Sequence, residues 1–273
     1  MTIRRTESKP RTSSLKESLR TGRVTIGSWI TLAHPAIAEI MAKAGFDWLT
    51  IDLEHSVISL REAEELIRVI ESCGVTPLVR LSANDPVQIK RVMDAGAHGI
   101  IVPMVKSKAD AEQAVAAVYY PIRGKRGVGL ARAQGYGTKF EEYKKWLSQS
   151  AVVIVLVEHI EAVKNLKAIL SVKGVDGYIV GPYDLSASMG IPGEVDHPKV
   201  VAAMRRIRQV AEGLGVPGGV HVVQPDSATA RRKIEEGFKF LAYSLDILML
   251  GAMCRDGLSA IHRRDKALKS GVS

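Results

Sequence analysis

From residue 24 onward, eight short apolar runs alternate with eight amphipathic, helix-patterned segments, and this alternation constrains the fold more than any other feature. The runs are "VTIGSWIT", "WLTIDLE", "TPLVRLS", "GIIVPMV", "VVIVLVE", "GYIVGPYDL", "VPGGVHVV" and "FKFLAYSLD". Each is short, almost wholly apolar and bounded by Gly or polar residues, the pattern of a parallel strand buried on both faces. The segments between them end in Gly, as in "AIAEIMAKAG" and "SLREAEELIRVIESCG", or open on a cap, as in "DPVQIKRVMDAG" with Asp85 at the N-cap and Pro86 at N1. A final helix is predicted over 247–269. Eight βα units in about 250 residues predict a single (β/α)8 TIM barrel over residues 24–269. A doubly wound sheet is the runner-up, but "GSWITLAHP" stands where its GxGxxG phosphate loop belongs.

The formal net charge of +9 suggests a polyanion partner until it is mapped. Residues 1–24 hold seven Lys/Arg against two Asp/Glu, and residues 255–273 hold five against two, so the body between them carries a net charge of +1. That excludes a basic nucleic-acid face on the barrel and leaves residues 1–23 as a basic, flexible tail. Cys73 and Cys254 lie far apart with no metal-ligand spacing, so neither a disulfide framework nor a zinc site is expected. No apolar run approaches the roughly 20 residues of a membrane span, and a cytoplasmic protein is the expectation.

Chemistry in such a barrel sits at the C-terminal strand ends. There the sequence places Asp52, Glu54 and His55, then Arg80, Glu158 with His159, Asp184, His221, Ser244 and Asp246. "VVIVLV" runs straight into Glu158, and "YIVGPY" into Asp184 one unit later. Adjacent strand ends lie about 4.8 Å apart, so both carboxylates can reach one hard cation, Mg²⁺ or Mn²⁺ with Co²⁺ as a further candidate. A salt bridge or helix cap is the structural alternative for each. Arg80 suits a substrate carboxylate or developing negative charge, or else pairs with Asp52 or Glu54. His55 suits a general base, oriented by its acidic neighbours. The Gly- and Arg-rich stretch 121–137, with Arg123, Lys125, Arg126 and Arg132, reads either as a lid whose cations grip an anionic group or as a solvated basic loop.

Taken together, "GFDWLTIDLEHSVI", "PLVRLS", "VMDAGAHGIIVPMV", "RGVGLARAQGYG", "VLVEHIEAVKNL" and "GYIVGPYDLSASMG" resemble the HpcH/HpaI aldolases over about residues 24–250. The resemblance implies a class II, metal-dependent pyruvate aldolase that makes or cleaves a 2-keto-3-deoxy acid with an aldehyde as second partner. It implies Glu158 and Asp184 as metal ligands, His55 as acid/base and Arg80 as the group steadying the enolate. Backbone around Gly181, Pro182, Tyr183 and Asp184 would face the pyruvate carboxylate. It also implies that Asp94 reaches His55 from a neighbouring subunit, in a hexamer built as a trimer of dimers with the last helix exchanged. Trp29, Leu156, Arg126 and Arg132 are the candidate contacts to the aldehyde. Leu156 stands where family members often carry Gln, and Tyr183 where smaller residues are common. The rival readings are a Schiff-base aldolase using Lys106, a CoA-ester lyase of the citrate lyase β type, and a non-catalytic barrel binding polyanions through its tails.

Overall fold

The computed structural model describes residues 13–269, the side chains of 263–269 excepted. Eight parallel strands close into a barrel in chain order, each bonded to its sequence neighbours and β8 to β1. The strands are β1 (Thr25–Ile30), β2 (Trp48–Asp52), β3 (Thr76–Arg80), β4 (Gly99–Val102), β5 (Val152–Val157), β6 (Gly177–Val180), β7 (Gly218–Val222) and β8 (Phe240–Leu245). The expected (β/α)8 architecture is therefore present. The helices, in chain order, are α1 (Leu15–Arg20), α2 (Pro35–Lys43), α3 (Leu60–Ser72), α4 (Pro86–Asp94), α5 (Lys108–Val118) and α6 (Phe140–Ser150). After them come α7 (Ile160–Leu170), α8 (Pro182–Ser188), α9 (Pro198–Leu214), α10 (Ser227–Glu235) and α11 (Asp246–Lys269). Among the described residues, no helix is long and apolar enough to cross a membrane.

The alternation of strand side chains builds two separate cores. Outward residues such as Leu49, Ile51, Val79, Val153 and Val155 pack beneath the helices. Inward residues Trp48, Leu78, Ile101, Ile154, Leu156, Ile179 and Phe240 fill the barrel. Trp48 and Phe240 stack there with ring centroids 4.1 Å apart. Two rings fit at that level because glycines face them: a Cβ at Gly27 would lie 2.0 Å from the Trp48 ring, and one at Gly219 would lie 2.8 Å from Phe240.

Residues 13–23, assigned on sequence to the flexible tail, hold a helix that seals the barrel's lower end. Ser14 caps α1, and Leu15 and Leu19 join the interior cluster. Lys16 fixes its position, donating from Nζ to Ala151 O at 2.7 Å and to Tyr119 Oη and Asp176 Oδ2, each at 3.0 Å. Buried Leu side chains on an amphipathic turn give such a segment a reason to dock that its charge conceals. Residues 1–12 lie outside the described residues.

The interior predicts opposite outcomes for two Gly→Ala changes. Gly27→Ala forces the Trp48–Phe240 stack to shift and lowers the unfolding free energy by about 1–3 kcal/mol. Gly213→Ala, in α9 with open space around its Cβ, raises it by roughly 0.4–1 kcal/mol. Urea titrations of the two variants beside wild type check both signs.

Candidate active site

The alternation that makes the core apolar ends in a polar layer. Continuing inward past Trp48, Leu78, Ile154 and Leu156, the same faces of β2, β3 and β5 reach Asp52, Arg80 and Glu158. Parallel register sets Asp52 directly beside Arg80 and Val157 beside Val180. Asp52, Arg80 and Glu158 line a cavity of about 410 Å³ at the C-terminal mouth, with Trp29, His55, Gly181, Asp184 and His221 among its other walls.

Arg80 and Asp52 form a buried fork, with Nε donating to Oδ1 at 2.8 Å and Nη2 to Oδ2 at 2.6 Å. Asp52 Oδ1 also accepts the amides of Glu54 and His55 at 3.0 and 3.2 Å. Burial alone would raise the Asp52 pKa, but the guanidinium and these amides outweigh it and hold it below the usual range. Arg80 thus pairs with Asp52, and it also lines the mouth. Its guanidinium carbon sits 4.4 Å over the Trp29 ring, a cation–π contact that fixes its plane. Asp52 acts on His55 through the backbone amide. The ring of His55 stands at the rim with 62% of its side chain exposed, its Nε2 lying 3.6 Å from Glu54 Oε2.

Glu158 is 3% exposed, and no ion pair is formed by its carboxylate among the described residues. Oε1 accepts the Met104 amide at 2.6 Å, which the left-handed Met104 backbone (φ 54°) presents. Burial, reinforced by the neighbouring charges of Glu54 and Asp184 and opposed by the Met104 amide, pushes its pKa up to about 7. Across the gap stands Asp184, in the first turn of α8. A methyl group at Gly181 would lie 3.2 Å from Glu158 Oε2 and 3.9 Å from Asp184 Oδ2, so both carboxylates flank one cradle that Gly keeps open. Glu54 Oε2 is buried beside them with no hydrogen-bond partner. Four carboxylates, Asp52, Glu54, Glu158 and Asp184, surround one guanidinium here, and Glu158 and Asp184 offer only oxygen donors. Those residues fit a hard divalent cation. Among the described residues no group of three His, Cys, Asp or Glu side chains is placed to hold a metal ion, so the chain's contribution would be the pair Glu158 and Asp184.

Leu156, Trp29, Gly181, Pro182 and Tyr183 line the mouth, Tyr183 being 56% exposed on its rim. Arg126 and Arg132 do not reach it. The segment 121–137 follows α5 and leads through α6 into the start of β5, so it lies at the opposite end of the barrel from the mouth. Arg132 donates there to Ala95 O and to Glu71. Arg126 is buried, donating to Tyr143 Oη at 2.8 Å. The lid reading therefore fails for a chain's own mouth. Asp94, the last residue of α4, lies at that far end too, 3.9 Å from Arg126 Nε, and not beside its own His55. Lys106 sits at the start of α5, outside the cavity, with its amide bonded to Asp110. Asp246 closes the barrel: it accepts the amides of Thr31 and Leu32 at 2.7 and 2.8 Å. His159 caps α7.

The raised Glu158 pKa has a consequence for stability in chelator-treated protein. Between the ordinary carboxylate value and about 7, the folded chain holds a proton that the unfolded chain has lost, so stability falls as pH rises through that window. The expected loss from pH 5 to 8 is up to roughly 3 kcal/mol. Urea unfolding across that range should show this slope in wild type and a flatter one in Glu158→Gln.

A family profile described as HpcH/HpaI aldolase/citrate lyase matches residues 25–250. The chain is 40% identical over 264 residues to a Salmonella dublin protein named 4-hydroxy-2-oxo-heptane-1,7-dioate aldolase, covering 96% of this chain and 98% of that one. It is 40% identical over 236 residues to the hydroxypyruvate/pyruvate aldolase of Sagittula stellata, covering 86% and 92%. The crystal structure of an HpcH/HpaI aldolase/citrate lyase family protein from Burkholderia cenocepacia superposes with a TM-score of 0.86 at 34% identity, covering 91% of this chain and 98% of that one. Motifs, mouth geometry and these likenesses agree, and the chain belongs to the HpcH/HpaI aldolase/citrate lyase family.

Proposed function

We propose that this class II aldolase holds one Mg²⁺ or Mn²⁺ between Glu158 and Asp184 and makes or cleaves a 4-hydroxy-2-oxo acid. Pyruvate enolate is the nucleophile and an aldehyde the electrophile. The observation that carries the reading is Glu158: a buried carboxylate that forms no ion pair among the described residues, facing a second carboxylate across an open cradle. The cation would act as a Lewis acid, polarising the 2-oxo group and so acidifying the C3 hydrogens.

The chain's own groups then have definite tasks. Arg80 uses Nε and Nη2 on Asp52, which leaves Nη1 to face the oxo-acid oxygens and to stabilise the charge that develops on the enolate. Stacking on Trp29 holds it in place before substrate arrives. The substrate carboxylate lies against the backbone at 181–184. The Gly181 amide is already donated to Val157 O at 3.2 Å and Pro182 has none, so the amides of Tyr183 and Asp184 remain for it. His55 takes the C3 proton, directly or through water, and the C3–aldehyde bond forms as the aldehyde oxygen gains a proton. In cleavage the same groups run in reverse. Trp29 and Leu156 form the wall for the aldehyde chain.

Asp94 enters this reading only from a neighbouring subunit. Its Oδ1 is buried and lacks a hydrogen-bond partner, and α11 exposes Leu250, Met253, Leu258 and Ile261 along its length. Both features support a homo-oligomer, a hexamer of paired subunits that exchange α11.

In a hydrogen–deuterium exchange assay on pyruvate with added Mn²⁺, Glu158→Gln and Asp184→Asn each lose the cation-dependent rate. His55→Ala slows exchange by about 10²–10⁴-fold. An unchanged rate in any variant removes that residue from its role.

A further inference from the structure

β7 contributes one inward side chain to the mouth, His221, to which the mechanism above gives no task. Its ring is tilted against Trp29 with centroids 5.6 Å apart, and it lines the same cavity as Arg80, Glu158 and Asp184. Nε2 lies 3.2 Å from Ser244 O. A carbonyl oxygen can only accept, so Nε2 carries the hydrogen, and in the neutral ring Nδ1 is a bare acceptor. Burial pushes the imidazole pKa down to about 4, which keeps the ring neutral at neutral pH.

The backbone fixes this tautomer. The register of β1 against β8 slips between Gly27 and Trp29, and Ser244 takes the left-handed conformation, with φ 50°. Its carbonyl also accepts Ser28 Oγ at 3.1 Å, and its own hydroxyl donates to Val223 O at 3.0 Å. The acceptor for Nε2–H is therefore tied down independently of His221. Nδ1, by contrast, takes part in no hydrogen bond among the described residues, and with Nε2 committed to Ser244 it is the nitrogen left for a ligand in the cavity that the ring lines.

We propose that Nδ1 of His221 accepts a hydrogen bond from a substrate hydroxyl on the carbon next to the reacting carbonyl. The site thereby prefers hydroxylated substrates over their methyl isosteres. The inference rests on the aldolase reading. The charges of the wall agree with it: Arg80 is the one Lys or Arg lining the cavity among the described residues, and it is already bound to Asp52. An uncharged hydroxyl finds a free acceptor here, while a second carboxylate finds no free cation in the mouth of the chain. The hydroxyl can come from a 2-hydroxyaldehyde or from the hydroxylated oxo acid.

The test compares kcat/KM within isosteric pairs on Mn²⁺-loaded enzyme. One arm sets glycolaldehyde against propanal with pyruvate; the other sets hydroxypyruvate against 2-oxobutanoate with acetaldehyde. Wild type should favour the hydroxylated member about tenfold in at least one arm. His221→Phe should remove that preference, and His221→Asn, which keeps an acceptor near Nδ1, should retain most of it. The arm that moves identifies which substrate carries the hydroxyl. Wild-type ratios near one in both arms overturn the proposal without any variant. So does a preference that survives in His221→Phe or, should that chain not fold, in His221→Leu. Pyruvate C3 exchange by wild type is measured alongside. Its absence sinks the aldolase reading itself, whereas exchange with unmoved ratios sinks only the role of His221.

Discussion

A closed eight-stranded barrel admits only alternate side chains to its interior, and there is room for few large ones at each level. Everything at the mouth follows from that constraint. Below, Trp48 and Phe240 occupy the interior because Gly27 and Gly219 give up theirs. Above, the same inward faces present Asp52, Arg80, Glu158 and His221 to one another. The strands cannot turn these groups away, since a slip of one residue would send the interior apolar set outward and the polar set under the helices. Polar convergence is thus enforced by the packing of Trp48, Leu78, Ile154 and Leu156, two or four positions earlier on the same strand faces.

Convergence creates an electrostatic imbalance. One guanidinium serves Asp52 closely and Glu54 at 3.5 Å, and little of its field is left for Glu158. The fork with Asp52 is well satisfied, which suits a positioning element whose geometry should not change during turnover. Glu158 is the opposite case. A single amide and an open cradle leave its negative charge poorly compensated, which is why its pKa stands so high. The two carboxylates differ in partner more than in burial, and that difference separates the satisfied carboxylate from the unsatisfied one.

Much of this was legible in the residues alone. The strand runs are nearly all apolar, so the polar residue ending each one marks the mouth, and Asp52, Arg80, Glu158 and Asp184 fall where that logic puts them. Where residues and structure part, the reasons are physical. The stretch 121–137 looks like a lid by its Gly and Arg content, yet its place between α5 and β5 assigns it to the far end of the barrel; element order outranks composition. Residues 13–23 look like a tail because their charge masks Leu15 and Leu19. Pairing was less visible still. Nothing in "IDLEH" says whether Arg80 will bond Asp52 or Glu54, since both carboxylates are two residues apart on the same strand end.

His221 shows where one-dimensional reading stops. Its position near a strand end was evident, but an imidazole has two nitrogens and the sequence does not say which keeps the hydrogen. That is decided by Ser244, more than twenty residues away, whose left-handed turn is itself part of how β8 meets β1. Two residues on, Asp246 caps the amides of Thr31 and Leu32 and completes the same seam. Barrel closure and the orientation of a bare acceptor at the mouth therefore share one piece of backbone. A change that relaxes Ser244 loosens the seam and frees the His221 ring together, so the hydrogen-bonding character of this wall is tied to the closure of the barrel.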